Sequence, residues 1–439
     1  MTDKEIINIL KSRFGIEMLN DMQVEMSRTN SPATLLLAPT GSGKTIAFAI
    51  PVAKRLKPSN DSIQSIIIAP SRELVLQIYD VVRVLCAGKK TVAFYGGHSM
   101  IDETKSLSVI PDVIVATPGR LLDHINRGNI DISRTDSLVL DEYDKSLELG
   151  FHDEMRRIAR HFKGLKQIIM TSATRLDEMP QFLPVRHLKT IDYSHTDKDL
   201  KQRLQLVRVG SPVRDKLQTL SDLLHSLPNK KTIVFVNHRE SVERVYQNLK
   251  SQKLPVGMYH GGLEQLEREI AIELLNNGST PILISTDLGA RGLDIDAVGA
   301  VIHYHMPPTE QNWTHRNGRT ARVDAEGTAY IITAEGENIP DFVEWQRDYA
   351  PSGKNPSPII SNISTLYFNL GKKEKISRGD IVGFLINKGG LTSQQIGRIT
   401  VKDHCALAAI PSDNAYNLLK AIAPHKIKNQ RARITLIDR

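Results

Sequence analysis

Short apolar runs, each closed by a polar cluster, recur along this chain and constrain its fold more than any other feature. Ile66-Ile67-Ile68-Ala69 leads into Pro70-Ser71-Arg72-Glu73, and Val113-Ile114-Val115-Ala116 into Thr117-Pro118-Gly119-Arg120. Leu138-Val139-Leu140 leads into Asp141-Glu142-Tyr143-Asp144, and Ile168-Ile169-Met170 into Thr171-Ser172-Ala173-Thr174. The second half repeats the scheme: Ile233-Val234-Phe235-Val236 precedes Asn237-His238-Arg239, and Ile282-Leu283-Ile284 precedes Ser285-Thr286-Asp287. Runs this short, apolar on both faces and separated by helix-length segments, predict central strands of parallel sheets. Ligands of such sheets lie at the carboxyl ends of the strands. Polar clusters scattered along the sequence are therefore expected on one edge of each sheet.

One run carries a second signal. Leu35-Leu36-Leu37 is followed by Ala38-Pro39-Thr40-Gly41-Ser42-Gly43-Lys44-Thr45 and then by Ile46-Ala47-Phe48-Ala49-Ile50. A strand, a glycine-bearing turn and a helix aim successive N–H groups and a helix N-terminus at one point, which suits a phosphate chain. Lys44 adds a point charge for the β- and γ-phosphates, and the Thr45 hydroxyl can ligate Mg²⁺. A carboxylate such as Asp141 at a later strand end can hold the same Mg²⁺, and Glu142 beside it can orient or deprotonate a water. In His315-Arg316-Asn317-Gly318-Arg319-Thr320-Ala321-Arg322, three arginines spaced by three are expected to put at least two guanidiniums on one helix face. There they can neutralise charge on a transferring phosphoryl group.

Length and charge set the domain plan. At 439 residues the chain is long for one domain. The expected plan is an α/β lobe over residues 1–192, a hinge over 193–205, a second lobe over 206–348 and a Pro/Ser-rich linker over 349–364. A small domain over 365–439 follows. That last segment reads strand (Leu366–Leu370), helix (Gly379–Asn387), strands (Gly397–Val401 and Ala406–Ile410), helix (Asn414–Ile422), strand (Ala432–Ile437): a βαββαβ order. No internal repeat is visible. From Thr365 onward there are 13 Lys or Arg against 5 Asp or Glu, whereas the preceding residues hold 44 of each sign. A neutral body with a basic C-terminal module is the electrostatic footprint of a polyanion partner. Cys86 and Cys405 lie far apart without CxxC or His neighbours, and are expected as small core hydrophobes in a reducing compartment. Met1 to Lys11 lacks a signal pattern, and no apolar run approaches the roughly 20 residues that span a bilayer. A cytoplasmic monomer with no membrane contact is expected.

Taken in order, Ala-x-x-Gly-x-Gly-Lys-Thr, Pro-Ser-Arg-Glu-Leu, Gly96-Gly97, Thr-Pro-Gly-Arg, Asp-Glu-x-Asp, Ser-Ala-Thr, Ser-Thr-Asp-x-x-x-Arg-Gly-Leu-Asp and His-Arg-x-Gly-Arg-Thr-x-Arg resemble the motifs of the DEAD-box ATP-dependent RNA helicases. The resemblance covers about Gly15 to Thr333. It implies two RecA-like parallel-sheet lobes with ATP and RNA bound across a cleft. Carried onto matching positions, it implies that Gln23 reads the adenine edge and that Thr40, Gly41, Ser42, Gly43, Lys44 and Thr45 cradle the phosphates. Asp287 and Asp294 line the nucleotide side of the second lobe, and Arg319 and Arg322 are arginine fingers. Ser172 and Thr174 couple hydrolysis to lobe closure. RNA lies across Arg72, Gly97, Thr117 and Arg120 in the first lobe, and Asn237, Arg268 and Thr286 in the second. These are hydroxyls, glycine amides and arginines, suited to phosphates and 2′-OH groups rather than to base edges.

The chain departs from the family pattern at several points. Tyr143 stands where the family has a methyl, Leu19-Asn20-Asp21-Met22-Gln23 replaces Pro-Thr-Pro-Ile-Gln, and Ala321 replaces a glycine. Tyr143 is expected to crowd the Mg²⁺ carboxylate or the neighbouring strand, so Tyr143→Ala should leave turnover equal or higher. The segment from Thr365 to Arg439 resembles the RNA-binding domain of bacterial DbpA-type helicases through Gly371-Lys372-Lys373, Arg378-Gly379-Asp380-Ile381-Val382-Gly383 and Gln395-Ile396-Gly397-Arg398-Ile399. That resemblance implies an RRM-like fold tethering the enzyme to ribosomal RNA during large-subunit assembly, with Lys372 and Lys373 on the RNA. Of the strand aromatics, Tyr367 is expected to be more exposed than Phe368. The expected activity is RNA-stimulated ATP hydrolysis with strand separation; the alternative is an ATP-gated RNA clamp or annealing chaperone.

Overall fold

The structure is a computed structural model that describes residues 2–39, 41–59, 61–97, 99–174, 181–183, 185, 187–194, 203–227, 230–287, 295, 298–320, 326–351 and 359–437. Two compact units, Met1–Lys201 and Gln202–Arg439, divide the chain. In the first, β1 (Ala33–Leu37), β2 (Ser65–Ile68), β3 (Thr91–Phe94), β4 (Val113–Ala116), β5 (Ser137–Leu140), β6 (Gln167–Ser172) and β7 (Leu188–Asp192) form a parallel sheet. Its order is β3-β4-β2-β5-β6-β1-β7. Successive strand residues point to opposite faces. Leu36, Ile67, Val115, Val139 and Ile169 accordingly join one core layer, and Leu35, Leu37, Ile66, Ile68, Ile114 and Leu140 the other. This two-sided burial is why the runs carry no polar alternation. Helices α1 (Asp3–Phe14), α2 (Asp21–Arg28), α3 (Lys44–Arg55), α4 (Arg72–Leu85), α5 (Met100–Ser106), α6 (Pro118–Asn126), α7 (Tyr143–Glu148) and α8 (His152–Ala159) complete the described part of this unit.

The second unit holds another parallel sheet: β8 (Leu204–Ser211), β9 (Thr232–Phe235), β10 (Val256–Tyr259), β11 (Ile282–Ser285), β12 (Ala300–His303), β13 (Gly327–Ala334) and β14 (Arg347–Asp348). Its order, β10-β11-β9-β12-β13-β8-β14, is the first sheet's order shifted by seven strands. The repeat that the residues conceal is therefore present in the topology. Helices α9 (Leu217–His225), α10 (Arg239–Ser251), α11 (Gln265–Asn277) and α12 (Glu310–Asn317) accompany it.

The same unit ends in β15 (Ile363–Phe368), α13 (Arg378–Asn387), β16 (Ile399–Val401), β17 (Ala406–Pro411), α14 (Ala415–Ile422) and β20 (Ile434–Leu436). A small hairpin, β18 (Lys426–Ile427) and β19 (Gln430–Arg431), is added before the last strand. The antiparallel sheet runs β16-β17-β15-β20, as the βαββαβ reading requires. Leu366, Phe368, Ala406, Ala408 and Ile410 face the helices and form this domain's core. Phe368 is buried and Tyr367 is half-buried, in the expected order.

The module is not held apart from the preceding lobe. Thr365 Oγ1 accepts from Asn277 Nδ2 (2.9 Å) and donates to Ser279 Oγ (2.9 Å). Thr400 donates to Glu273 (2.8 Å), Lys402 pairs with Glu269 (2.6 Å), and Arg398 with Glu273 (3.3 Å). Both β15 and β16 are fastened along one side of α11. Cys86 and Cys405 are buried thiols, and burial pushes Cys86 up to about 12. Among the described residues no helix is long and apolar enough to cross a membrane.

Candidate functional site

The strand ends of the first sheet lie in register: Leu37 opposite Ser172, Leu140 opposite Ile68, and Ala116 opposite both Ile68 and Phe94. The polar clusters that follow them therefore line one edge, and strand order divides that edge in two. Gly97, Thr117 with Arg120, and Arg72 follow β3, β4 and β2. Asp141 with Glu142, Ser172 with Thr174, and the Gly41–Thr45 turn follow β5, β6 and β1.

On the second half, Gly43 takes φ +88°, and a Cβ there would run into Gln23 Nε2, so glycine is required. Helix α3 begins at Lys44 with no side-chain cap, leaving first-turn N–H groups for an anion. Lys44 Nζ donates to the carbonyls of Ala38 (2.6 Å) and Pro39 (2.9 Å), which folds the ammonium under the turn. Gly41 is exposed; Ser42 and Thr45 are partly so. Gln23 is buried, its Oε1 accepting from Asn20 N (3.1 Å) and its Nε2 donating to Gly43 O (3.3 Å). One end of this amide completes the cap of α2 and the other holds the turn. Thr40 lies outside the described residues.

Asp141 is 3% exposed. Burial pushes its carboxyl up, while the Thr171 hydroxyl, which donates to Oδ1, and the Lys44 charge pull the other way. Thr171 Oγ1 also accepts from Glu142 N (3.1 Å), so one threonine fixes both acids. Glu142 sits at φ 45°, ψ 53°, a left-handed conformation that non-glycine residues adopt at a cost of about 1–3 kcal/mol. Ser172 Oγ donates to Thr174 O (2.5 Å), and Thr174 Oγ1 to Asp144 Oδ2 (3.1 Å). The two hydroxyls thus connect β6 to the start of α7. Tyr143 is 1% exposed in the core layer that holds Leu140, Met155 and Met170, so it packs against the neighbouring strand β6. Burial pushes its phenol up to about 12.

The other half is organised by a residue that sequence reasoning missed. Glu103, buried on α5, accepts at Oε2 from Arg120 Nε (2.7 Å) and His124 Nε2 (2.9 Å), and at Oε1 from Tyr95 N (3.3 Å). Asn129 Nδ2 lies 3.2 Å from His124 Nδ1, which calls for the Nε2–H tautomer. Gly97, at φ +84°, leaves room for the Arg72 guanidinium where a Cβ would collide with it. Thr117 stands at the N-cap position of α6, which carries Arg120, and its side chain makes no capping bond. One carboxylate thus ties Arg120 to the strand end that leads into Gly96-Gly97. Nothing in the sequence marks Glu103, because burial of a short-helix acid is a tertiary property.

In the second sheet Tyr259, Ser285, Phe235 and His303 end in register. Here the organiser is Arg316, 1% exposed on α12. It binds Asp287 through Nε (2.6 Å) and Nη2 (2.7 Å), Asn237 Oδ1 (2.8 Å) and His305 O (2.8 Å), and stacks over Phe235 at 5.2 Å. Asn237 Nδ2 donates to Met306 O (3.0 Å), so both ends of its amide are committed. Thr286 is buried, and Arg268 in the first turn of α11 donates to Gln265 Oε1 (2.5 Å). The expected arginine face is corrected. Helix α12 ends at Asn317 and Gly318 caps it, so Arg316 lies on the helix while Arg319 sits in the turn beyond, buried. Arg322 and Asp294 lie outside the described residues. Burial and the Arg316 charge push His303 down to about 3; burial, Lys216 and Arg316 push His305 down to about 4. On the C-terminal domain Lys372 and Lys373 are exposed.

Comparison with known proteins agrees with this layout. Residues 22–181 match the DEAD/DEAH box helicase family, residues 215–324 the helicase conserved C-terminal domain, and residues 365–436 the DbpA RNA binding domain. The ATP-dependent RNA helicase DbpA of Escherichia coli is 30% identical over 91% of this chain and 90% of that protein. DbpA of Bacillus subtilis is 28% identical over 90% and 89%. Among solved structures, Saccharomyces cerevisiae Dbp5 bound to RNA and ADP BeF3 is similar with a TM-score of 0.67 and 26% identity, over 75% of this chain and 87% of that one.

Proposed function

Because the chain belongs to the DEAD-box ATP-dependent RNA helicases of the DbpA type, enzymes that hydrolyse ATP and bind RNA, we propose how its residues divide that work. The observation that carries the assignment is the convergence of Lys44, Asp141 and Thr171 beside the uncapped start of α3. Open N–H donors and a lysine suit a triphosphate, and a buried carboxylate pushed toward its neutral form suits a cation. Lys44 and the Gly41–Thr45 amides hold the phosphates, and Thr45 and Asp141 hold Mg²⁺. The cation supplies charge neutralisation on the phosphates when bound. Glu142 orients the attacking water. Gln23 contacts adenine by exchanging one of its present bonds, and Asp287 and Asp294 line the nucleotide side of the second lobe.

Arg319 and Arg322 neutralise the γ-phosphoryl once the lobes close, and Ser172 and Thr174 relay that closure. RNA runs along Gly97, Thr117, Arg120 and Arg72 in one lobe, and along Asn237, Thr286 and Arg268 in the other. Its contacts there are to the backbone. The domain plan remains that expected from sequence, with 365–439 as the RNA-binding domain. The biological setting is ribosomal large-subunit assembly, on ribosomal RNA, by a cytoplasmic monomer. Steady-state ATP hydrolysis with RNA, DNA and no nucleic acid, run beside duplex unwinding, tests the reading. Hydrolysis stimulated by RNA and not by DNA is expected; equal stimulation by DNA overturns the RNA assignment. RNA affinity that is unchanged by a non-hydrolysable ATP analogue overturns the closure step, since coupling must be reciprocal.

A further inference from the structure

Helix α11 serves two parts of the molecule. Arg268 stands in its first turn, and the C-terminal domain is fastened along its side. Glu269, Glu273 and Asn277, spaced by four, form one stripe along the helix. They meet Lys402, Arg398 with Thr400, and Thr365 through the bonds given above. Positions 398, 400 and 402 alternate along one face of a strand, so a period-four helix stripe meets a period-two strand stripe.

The stripe reaches Arg268 through one side chain. Gln265 stands four residues before Glu269 and three before Arg268, so it neighbours both on the helix surface. Its Nε2 donates to Glu269 Oε1 (2.9 Å), and its Oε1 accepts from Arg268 Nη2 (2.5 Å). The other carboxylate oxygen, Glu269 Oε2, accepts from Lys402 Nζ (2.6 Å). A guanidinium offers only donors and a carboxylate only acceptors, whereas the amide between them supplies one of each. Donation thus runs from Arg268 through Gln265 to Glu269, and from Lys402 to the same carboxylate. The Lys402 and Glu269 side chains are only 20% and 23% exposed, which shields the pair from screening. Lys402 is itself held: its N–H donates to Cys405 O (2.8 Å), and its carbonyl accepts from Lys372 N (2.8 Å). A fixed backbone therefore delivers the ammonium to Glu269.

We infer that Lys402, a residue of the C-terminal domain, is a positioning residue for the RNA site of the second lobe. Through Glu269 and Gln265 it sets Arg268 in the orientation that meets RNA. A long side chain left to rotate loses that freedom on binding, whereas one already set has lost it beforehand. Docking of the domain thereby raises the core's affinity for any RNA, including RNA that the domain does not touch. The inference deepens the RNA-helicase reading and rests on it.

The test uses the full chain and ATP hydrolysis titrated with a short oligo(U), which forms no stem. Lys402→Met should raise the RNA concentration for half-maximal stimulation about fivefold, with kcat at saturating RNA unchanged. Lys402→Arg should restore half-saturation to the wild-type value, because its guanidinium still donates to Glu269. Lys402→Glu combined with Glu269→Lys keeps an ion pair across the interface but turns a cation toward Gln265. That swap should melt like wild type and still show the RNA defect. In an Arg268→Met chain, adding Lys402→Met should change half-saturation by less than about twofold. Additive losses make Lys402 an RNA contact in its own right, and a swap that recovers RNA binding makes it a docking residue only. Either result overturns the inference, as does an unaltered Lys402→Met. If Arg268→Met alone has no effect, it is the placement of RNA on Arg268 that fails. If the wild type shows no RNA-stimulated hydrolysis, it is the helicase reading, so the failures are distinguished.

Discussion

The two lobes share one strand order, yet they hold their functional edges by opposite charge logic. In the first lobe a buried acid, Glu103, holds an arginine and a loop backbone. In the second a buried arginine, Arg316, gathers an aspartate, an asparagine and a backbone carbonyl inward. The first arrangement leaves guanidiniums, amides and an uncapped helix facing the edge. The second closes its strand ends on one another and ties up the amide of Asn237. A common fold therefore fixes where strand ends lie but not which groups remain available there.

Six variants test this contrast. The largest effect is expected at the first lobe's acids. Glu142→Gln keeps the shape and removes the water-orienting carboxylate, so turnover should fall about 10²–10⁴-fold while ATP stays bound and RNA is held longer. Near-normal steady-state turnover would remove Glu142 from the chemistry. Lys44→Ala should lose both nucleotide binding and turnover, because its charge meets the phosphates.

Next come the packed organisers. Arg316→Met removes a bidentate charge partner of Asp287 at a site where removing one member of a buried pair costs about 3–5 kcal/mol. Melting of the second unit, followed by hydrogen exchange on β9 and β11, should report that loss. Tyr143→Ala opens a cavity in the first lobe's core worth about 3–5 kcal/mol. Lower stability is therefore expected beside the unchanged or faster turnover. If both variants melt like wild type, neither ring nor guanidinium holds its lobe together.

Glu103→Gln is expected to act through Arg120 and the Gly96-Gly97 loop. The RNA concentration for half-maximal ATPase should rise about tenfold, or about 1.4 kcal/mol, with little change in kcat at saturating RNA. A drop in kcat with an unaltered RNA dependence would make Glu103 a purely structural acid. The smallest effect is electrostatic. His303 is held down at about 3 in the folded chain, against about 6.5 when unfolded. Above about pH 6.5 it is neutral in both states. As pH falls below that value the unfolded chain takes up the proton first, so stability should decline by on the order of 1 kcal/mol per pH unit. His303→Gln should flatten that decline in a pH series of second-unit melting.

Strand runs, phosphate turn and paired acids were legible in the sequence because each depends on a few neighbouring residues. An apolar run with no polar alternation must be buried on both faces, and Gly41-Ser42-Gly43-Lys44-Thr45 dictates its own turn. Asp141 and Lys44 could be assigned to one edge because parallel strands end on the same side. Other properties depend on which distant side chain arrives. The burial of Glu103, the ring of Tyr143 turning into the core, and the end of α12 before Arg319 each rest on packing between segments far apart in the chain. The charge total of the C-terminal segment was likewise a property of sequence, pointing to a polyanion. Only the tertiary structure decided that Arg398 and Lys402 answer Glu273 and Glu269 while Lys426 and Arg431 do not. A charge's partner is set by through-space distance, and the α11 stripe and the β16 stripe lie more than a hundred residues apart in the chain.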